Sequence, residues 1–532
     1  MSTDRSDEET GGASTEGASA GGASTDGAKP RFRPGPLGLI GVALAAMFVT
    51  LLLIQSFIGT FRPGGEAPER EPAPATGTPP EGTAKIMVVG DSITQGSSGD
   101  YTWRYRLWKH LDEQDGADVE FVGPYNGVLD VSGDGSGSQG YADPDFDQRH
   151  AAVWGAPVNK LSEHIGEQVA EYDPHYLLLM AGINDFVGGG DAPEALEEIR
   201  DLIRTARVVR GDLQIVIGEL TPVRGTGDDE RLNRQIAEFN MALPRIAEDM
   251  TSEASPVVVA RTSAHYSASE DNWDTTHPNA RGELKIAAAF ADALGGPLGL
   301  GEPYPRPLPD VPVGPQTRPK ATVARKEPGK VVLSWDPVLG ATRYQVLQRR
   351  LRPDPDEQVP VLNEVTRTGA GPVTAEIDHL LSGATYEFVV RPFKGGDGGR
   401  RSRVVTVRTD SDPPAAPRWV KVDDQRTYLV WAAVPDATHF EVWRRPMKCA
   451  EPSDGEDADD ADGAASASPA CEPRDAKGPG KGEGWTSVAV VNGERRWAID
   501  TAGKPAAEFV VVSHRDYLAG DAADPVEFVV ED

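Results

Sequence analysis

The sequence predicts a three-layer α/β domain with a parallel sheet, followed by two β-sandwich domains and preceded by a transmembrane helix. Between residues 84 and 299, short β-branched runs alternate with helical stretches. From about residue 320 onward, short alternating strands and turns recur without a convincing helix. Near the amino terminus, residues 37–61 form a run without a charged side chain. Each of these patterns is typical of one class of structure.

The α/β region predicts five buried strands, because each is a short run rich in Val, Ile and Leu. We place the strands at 86–89, 119–122, 176–180, 214–217 and 257–259. We place the helices at 101–113, 158–171, 192–209, 229–249 and 279–294. Strands that alternate with helices at this spacing form βαβ units, which predicts a parallel sheet covered on both faces.

The region after the α/β domain predicts two β-sandwich domains, at 320–410 and 414–532. Its strand patterns recur in the same order after about a hundred residues, which is the size of a small β-sandwich. Trp335 and Trp431 each precede a short turn and then an aromatic residue on the next strand. Both units resemble fibronectin type III domains, and the resemblance implies that Tyr386 occupies a tyrosine corner.

An insert rich in acidic and small residues, 450–482, interrupts the second β-sandwich domain. Cys449 and Cys471 are the only two cysteines of the chain and bracket much of this insert. A disulfide between them would close the loop, and the alternative is two free thiols. We favour the disulfide because the amino-terminal sequence predicts export to an oxidising environment.

The amino-terminal sequence predicts a disordered cytoplasmic tail at 1–34, a transmembrane signal anchor at 35–61 and a Pro/Gly-rich stalk at 62–83. A helix needs about 20 apolar residues to cross a bilayer, and this run is long enough. Basic residues are more frequent before the run than after it, so the positive-inside rule places the amino terminus in the cytoplasm. A cleaved signal peptide and a buried core helix are the alternatives. A second Pro-rich segment, 300–319, predicts a linker.

The composition argues against several classes of function. The chain has 83 Asp and Glu against 53 Lys and Arg, a formal net charge of −30. A surface of this charge repels phosphate backbones, so we expect no nucleic-acid partner. The sequence contains no Cys/His cluster with metal-ligand spacing, and we expect no metal and no cofactor.

The first chemical motif is Gly90-Asp91-Ser92, which directly follows the first predicted strand. A serine at this point lies at the carboxyl edge of the parallel sheet, where α/β proteins bind ligands. Its backbone N–H would lie near a helix amino terminus and could face a developing oxyanion. The alternative is a serine that only caps the helix.

The second motif is Asp274-Thr-Thr-His277, just before the last predicted helix. A serine hydroxyl is a poor nucleophile until a base accepts its proton, and an imidazole can do this near neutral pH. The imidazole in turn needs a carboxylate that fixes its tautomer. One loop would supply both groups. The alternative is a capping Asp beside a surface His.

The third motif is Gly182-Ile-Asn184-Asp185, directly after the predicted strand at 176–180. It lies at the same carboxyl edge as Ser92, where the Asn184 amide could donate to an oxyanion. The alternative is an Asn/Asp turn.

In this order, the three motifs resemble the blocks of the SGNH/GDSL hydrolase family over residues 84–299. The resemblance implies a flavodoxin-like sheet and a Ser92-His277-Asp274 triad, supported by Gly90, Asp91, Gly182 and Asp185. It further implies an oxyanion hole made by Ser92, Asn184 and a glycine of the second block. Within 121–157, the sequence resembles acetylxylan-esterase-like carbohydrate esterases, although Val153 and Trp154 replace the usual His-Ser. Gly155 is the first candidate for that glycine, and Gly123 is the second.

The resemblance implies a serine esterase that needs no cofactor and whose substrate is an ester, with an acylated carbohydrate favoured. The sequence therefore predicts a membrane-anchored extracellular enzyme whose β-sandwich domains serve as spacers or contact the cell wall or glycans. One alternative is a lipase or lysophospholipase. Another is a non-catalytic surface protein that acts in adhesion, since a fold does not guarantee its chemistry.

Overall fold

The computed structural model describes residues 77–113, 117–131, 139–225, 227–409, 412–450, 470–473, 478–479 and 484–530. The predicted tail, the predicted anchor at 35–61 and most of the insert lie outside these ranges. Within them, none of the helices has the length and apolar character that a membrane crossing requires.

The α/β domain is built on one parallel sheet of six strands. These strands are β1 (Ala84–Gly90), β2 (Val119–Val122), β3 (Ala151–Ala152), β4 (Tyr176–Met180), β5 (Gln214–Gly218) and β6 (Val257–Ala260). Their order is β2-β1-β4-β5-β6, and the short β3 pairs with the last two residues of β1. Without β3, this is the strand order of flavodoxin-like sheets. The carboxyl ends of β3, β1 and β4 therefore lie side by side.

Eight described helices accompany this sheet. They are α1 (Ser92–Gln95), α2 (Trp103–Asp112), α3 (Val158–Tyr172), α4 (Ile183–Val187), α5 (Ala192–Val209), α6 (Asp228–Met250), α7 (Ala268–Asp271) and α8 (Ala280–Gly295). Helix α2 packs on α8, while α3 packs on α5 and α5 on α6. In α5, buried side chains recur every three or four residues, at Leu196, Ile199, Ile203 and Ala206. This amphipathic spacing explains why the helix buries one face only.

The first β domain consists of two antiparallel sheets that share one core. Its strands are β7 (Thr322–Glu327), β8 (Lys330–Trp335), β9 (Arg343–Arg352), β10 (Val359–Val365), β11 (Val373–Ile377), β12 (Thr385–Lys394), β13 (Asp397–Gly398) and β14 (Val405–Arg408). Trp335 packs edge-on against Tyr344 in this core. The Tyr386 hydroxyl accepts a hydrogen bond from the Leu381 N–H at 3.1 Å, which is the contact that defines a tyrosine corner.

The second β domain repeats the combination of a three-stranded and a five-stranded antiparallel sheet, and it adds a separate two-stranded sheet. Its strands are β15 (Val420–Val422), β16 (Tyr428–Trp431), β17 (His439–Pro446), β18 (Lys448–Cys449), β19 (Cys471–Glu472), β20 (Thr486–Asn492), β21 (Arg496–Ala498), β22 (Ala506–Arg515), β23 (Leu518–Ala522) and β24 (Val526–Val529). A disulfide joins Cys449 to Cys471 across β18 and β19. The predicted combination of a parallel-sheet α/β domain with carboxyl-terminal antiparallel sheets is confirmed. The relation of these sheets to fibronectin type III domains stays a prediction.

Residues at the described end of the predicted stalk and within the predicted linker form hydrogen bonds to the α/β domain. At the end of the predicted stalk, the Gly77 N–H donates to the Pro297 carbonyl at 3.0 Å. Within the predicted linker, the Tyr304 N–H donates to the Asp292 carboxylate at 2.8 Å. Pro and Gly content indicates an extended backbone, but it does not show which side chains elsewhere will hold that backbone.

Candidate active site

Ser92 is the first residue of α1, two residues beyond the end of β1. The Asp91 carboxylate caps this helix by accepting a hydrogen bond from the Ile93 N–H at 3.0 Å. At Gly90, a Cβ would overlap the Met180 carbonyl of the neighbouring β4, so only glycine allows the two strands to lie so close here. Ser92 is thereby held at the carboxyl edge of the sheet.

Asp274 and His277 lie in the loop between α7 and α8. The Asp274 Oδ1 accepts hydrogen bonds from the Thr276 N–H at 2.8 Å and from the His277 N–H at 2.6 Å. These two bonds close a tight turn that brings the aspartate and the histidine to one side. The Arg224 guanidinium donates to the Asp274 carbonyl at 2.8 Å and fixes the turn from the segment that follows β5.

The structure brings the three side chains of the predicted triad into one hydrogen-bonded chain. The His277 Nδ1 lies 2.7 Å from the Asp274 Oδ2, and its Nε2 lies 3.0 Å from the Ser92 Oγ. Burial alone would raise the pKa of the Asp274 carboxyl, but hydrogen bonds from His277 and the loop N–H groups outweigh it and lower that pKa. Because the carboxylate is ionised, Nδ1–H donates to it and Nε2 accepts the Ser92 hydroxyl proton.

Three groups that could bind an oxyanion follow the neighbouring ends of β1, β3 and β4. The N–H groups of Ser92 and Gly155 donate to no acceptor within the described part of the chain. The Asn184 amide donates to the Ala156 carbonyl at 3.2 Å, which ties the turn after β4 to the Gly155 segment. The adjacent Asp185 carboxylate accepts a hydrogen bond from the Val158 N–H.

Gly123 occupies a different position from Gly155. It follows β2, and a Cβ there would meet the backbone of His150. Gly155 follows β3, the strand that pairs with the last residues of β1. Gly182 has φ 134° at the start of α4, where its lack of a side chain permits the turn that presents Asn184.

Two tryptophans that sequence reasoning did not place at the site stack on the His277 ring. The Trp154 indole lies 4.5 Å from it and the Trp273 indole 5.4 Å, both nearly parallel to the imidazole. Trp154 is one of the two residues at which this segment departs from the sequence pattern that it resembles. Its backbone N–H donates to the Gln95 amide oxygen at 2.7 Å, which fixes the segment beside α1.

A fully buried arginine holds the segment that follows the nucleophile. The Arg104 guanidinium donates to the carbonyls of Thr94, Gln95 and Gln148 and to the Tyr141 hydroxyl, at 2.8–3.0 Å. The sequence offered no signal for this role, because Arg104 is one polar position among several in the predicted helix.

Two further carboxyl groups lie around the nucleophile. Glu283 and Asp100 line a small pocket that also contains Ser92 and His277. Burial, reinforced by the nearby charge of Asp100, raises the pKa of Glu283 to about 7. Burial likewise raises the pKa of Asp91 to about 7, although the Ile93 N–H and the charge of His277 lower it.

A cleft of about 390 Å³ is lined by Gln95, the last residue of α1, and by Ala152 and Val153, which lie at and directly after the end of β3. Its polar side chains are those of Gln95, Tyr125, Asn126 and Gln139, and no charged side chain belongs to its described lining. Tyr125 is 44% exposed at the cleft. The cleft thus combines neutral hydrogen-bonding amides with an accessible aromatic ring.

The described residues include no group of three or more His, Cys, Asp or Glu side chains arranged to hold a metal ion. Among the aspartates of the 143–147 segment, Asp143 accepts a hydrogen bond from the Tyr105 hydroxyl at 2.8 Å. Asp147 pairs with Arg149.

A serine in contact with a histidine–aspartate pair, at the carboxyl edge of a parallel sheet, defines a site of the serine hydrolase class. Residues 88–284 match the model of the GDSL-like Lipase/Acylhydrolase family. The chain therefore carries a domain of this family, and the resemblance found in the motifs is confirmed.

The chain is also similar to a curated protein and to solved structures. A "Multidomain esterase" from Ruminococcus flavefaciens is 26% identical over 314 residues, covering 56% of this chain and 38% of that protein. A family 3 carbohydrate esterase from Talaromyces cellulolyticus has 24% identity and a TM-score of 0.34, covering 40% of this chain and 96% of its own. A family 3 carbohydrate esterase from Clostridium thermocellum has 22% identity and a TM-score of 0.33, covering 39% of this chain and 93% of its own. The chain thus spans less than half the length of this multidomain esterase.

Proposed function

We propose that this chain is a serine esterase that hydrolyses carboxylic esters through an acyl-enzyme. The observation that carries the proposal is the continuous contact from the Asp274 carboxylate through the His277 ring to the Ser92 hydroxyl. The relative named an esterase supports it.

In the first half-reaction, the His277 Nε2 takes the Ser92 proton as the Oγ attacks the ester carbonyl carbon. The negative charge that forms on the carbonyl oxygen is stabilised by the N–H groups of Ser92 and Gly155 and by the Asn184 amide. His277 then protonates the leaving alcohol as the C–O bond breaks, which leaves the acyl group on Ser92. A water molecule then gives a proton to His277 and attacks the acyl carbon. The bond between this carbon and the Ser92 Oγ breaks, His277 returns the proton to Oγ, and the carboxylic acid leaves.

The Asn184 contribution predicts a loss of turnover in Asn184→Ala. Removing one oxyanion donor is expected to lower kcat by about 10²- to 10³-fold. Turnover of p-nitrophenyl acetate by the full chain measures this loss. Asn159→Ala, which removes an exposed amide on α3, is the matched control and should retain activity. An Asn184→Ala variant with the kcat of the unmodified chain would exclude Asn184 from the oxyanion hole.

We further propose an acetylated carbohydrate as the substrate class. The cleft at Gln95, on the helix that begins with Ser92, supports this, because neutral amides suit sugar hydroxyls and an exposed aromatic ring suits the apolar face of a pyranose. A lipase or lysophospholipase would need an apolar groove. The membrane anchor, the extracellular location and contacts of the β domains with cell wall or glycans stay predictions from the sequence.

The cleft predicts a substrate-selective effect of Tyr125→Ala. Loss of one aromatic contact should lower kcat/KM for acetylated xylo-oligosaccharides about 3- to 10-fold. Hydrolysis of p-nitrophenyl acetate should change little, because this ester is too small to depend on the cleft. Tyr428→Ala in the second β domain is the control. An equal fall in kcat/KM for both esters would contradict the proposal that the cleft binds a sugar. Rapid turnover of phospholipid alone would favour a lipase or lysophospholipase.

A further inference from the structure

The first β domain contacts the loop that carries Asp274 and His277. The contact is made by residues 394–397, the turn from β12 into β13, which we name the bracing turn. The Gly396 N–H donates to the Trp273 carbonyl at 2.8 Å. The Asn279 amide donates to the Asp397 carboxylate at 2.9 Å. Trp273 and Asn279 flank residues 274–277, so the bracing turn holds the catalytic loop at both ends.

The close approach of the two domains depends on glycine. At Gly395, which has φ 51°, a Cβ would overlap the Trp273 carbonyl oxygen. Asn279 completes the junction from the other side, because its side-chain oxygen caps α8 by accepting from the Arg281 and Gly282 N–H groups. One asparagine side chain therefore fixes the start of α8 and bonds to the β domain.

The ammonium group of Lys394 connects the catalytic loop to the segment after the nucleophile. This side chain is 6% exposed and forms an ion pair with Asp100, which is 10% exposed. It also donates to the Ser98 carbonyl at 3.0 Å and lies 5.2 Å from the centre of the Trp273 indole. Asp100 accepts hydrogen bonds from the backbone and hydroxyl of Ser97, close after α1. Lys394 thus touches both segments that must align.

A buried ion pair of this kind adds little net stability, because desolvation offsets most of the attraction between the charges. It does fix geometry, since removal of one partner leaves the other charge buried and unpaired. Here the partner left behind would be Asp100, next to the buried Glu283 at the Ser92 pocket. Trp273, which stacks on the His277 ring, is held by the same turn.

We propose that the bracing turn is a positioning element of the active site, which holds the Asp274–His277 loop in register with Ser92 from a separate domain. The first β domain is then a structural part of the catalytic site and not only a spacer. This inference rests on the proposed esterase function. Lys394 and Asp397 are its positioning residues, and neither touches the reacting atoms.

The test compares variants of the full chain, with active sites titrated by a fluorophosphonate. Lys394→Met keeps the aliphatic stem and removes the charge. We expect its kcat per titrated site for p-nitrophenyl acetate to fall about 10- to 100-fold, with little change in KM. A variant that is only less well folded would contain fewer active sites, but each site would turn over normally. Lys330→Met, on β8 of the same domain, is the control and should match the unmodified chain.

Asp397 provides a second, independent test. Asp397→Ala removes the acceptor for Asn279 and should lower kcat per site, whereas Asp397→Asn keeps an acceptor oxygen and should restore most of the activity. Unchanged kcat per site in both Lys394→Met and Asp397→Ala would overturn the inference. If the unmodified chain neither labels nor turns over esters, the proposed function itself fails, which is a different result.

Discussion

Replacement of Ser92 by alanine is expected to lower kcat for p-nitrophenyl acetate by at least about 10⁴-fold. The Ser92 Oγ is the only protein atom of the mechanism that forms a bond to the acyl carbon. Without it, His277 has no nucleophile to activate within the chain. The oxyanion donors would remain and could still polarise a bound ester, so a small residual rate is compatible with the mechanism. Initial rates of the purified full chain over a range of ester concentrations measure the loss.

The control for this prediction is Ser269→Ala, which removes an exposed hydroxyl on α7, close in sequence to the catalytic loop. It should retain the activity of the unmodified chain. Ester hydrolysis by Ser92→Ala at a substantial fraction of the unmodified rate would show that another group attacks the ester.

Replacement of Asp274 by asparagine should lower kcat about 10³- to 10⁴-fold, while the fold is retained. The asparagine oxygen can still accept the Thr276 and His277 N–H groups, so the turn should form. The loss arises because an amide no longer fixes the imidazole with its proton on Nδ1 or stabilises the imidazolium. The pKa of Asp274 lies below its usual range, so the unmodified chain keeps this carboxylate ionised at neutral pH.

Steady-state kinetics of Asp274→Asn at neutral pH are the direct measurement. Asp378→Asn, an exposed position of the first β domain, is the matched control. If Asp274→Asn kept nearly full kcat, the carboxylate that orients His277 would have to lie elsewhere.

The sequence predicted the parallel sheet and the site at its edge because both follow from local patterns. Short β-branched runs determine where strands lie, and a strand's carboxyl end determines where the next residues emerge. Ser92 and Asn184 follow strands β1 and β4, which the fold places side by side. Their proximity therefore follows from the sequence pattern alone.

The supporting residues could not be predicted, because their roles arise from contacts between distant parts of the chain. Arg104 is buried beneath α1 and bonds to three separate carbonyls, yet its sequence context is that of an ordinary helix. Lys394 pairs with Asp100 across 294 residues. No spacing rule connects residues in two domains, so only the packing of those domains reveals such a pair.

The segment around Gly155 departs from the family pattern at Val153 and Trp154, and the structure explains the departure at Trp154. In the sequence, Trp154 is recognisable only as a residue that differs from the one that the pattern has at this position. In the fold, its indole stacks on the His277 ring and its N–H bonds to Gln95, three residues after the nucleophile. These two contacts of Trp154 hold the neighbouring Gly155 close to the site.

In the proposed mechanism, His277 and Asp274 activate Ser92 as a nucleophile. Labelling of the full chain with a fluorophosphonate, followed by mass spectrometry of its peptides, tests this most directly, because only an activated serine reacts quickly. The label should appear on Ser92 and should be lost in His277→Ala. Labelling of a different serine, or no labelling of the folded protein, would show that Ser92 is not the activated nucleophile.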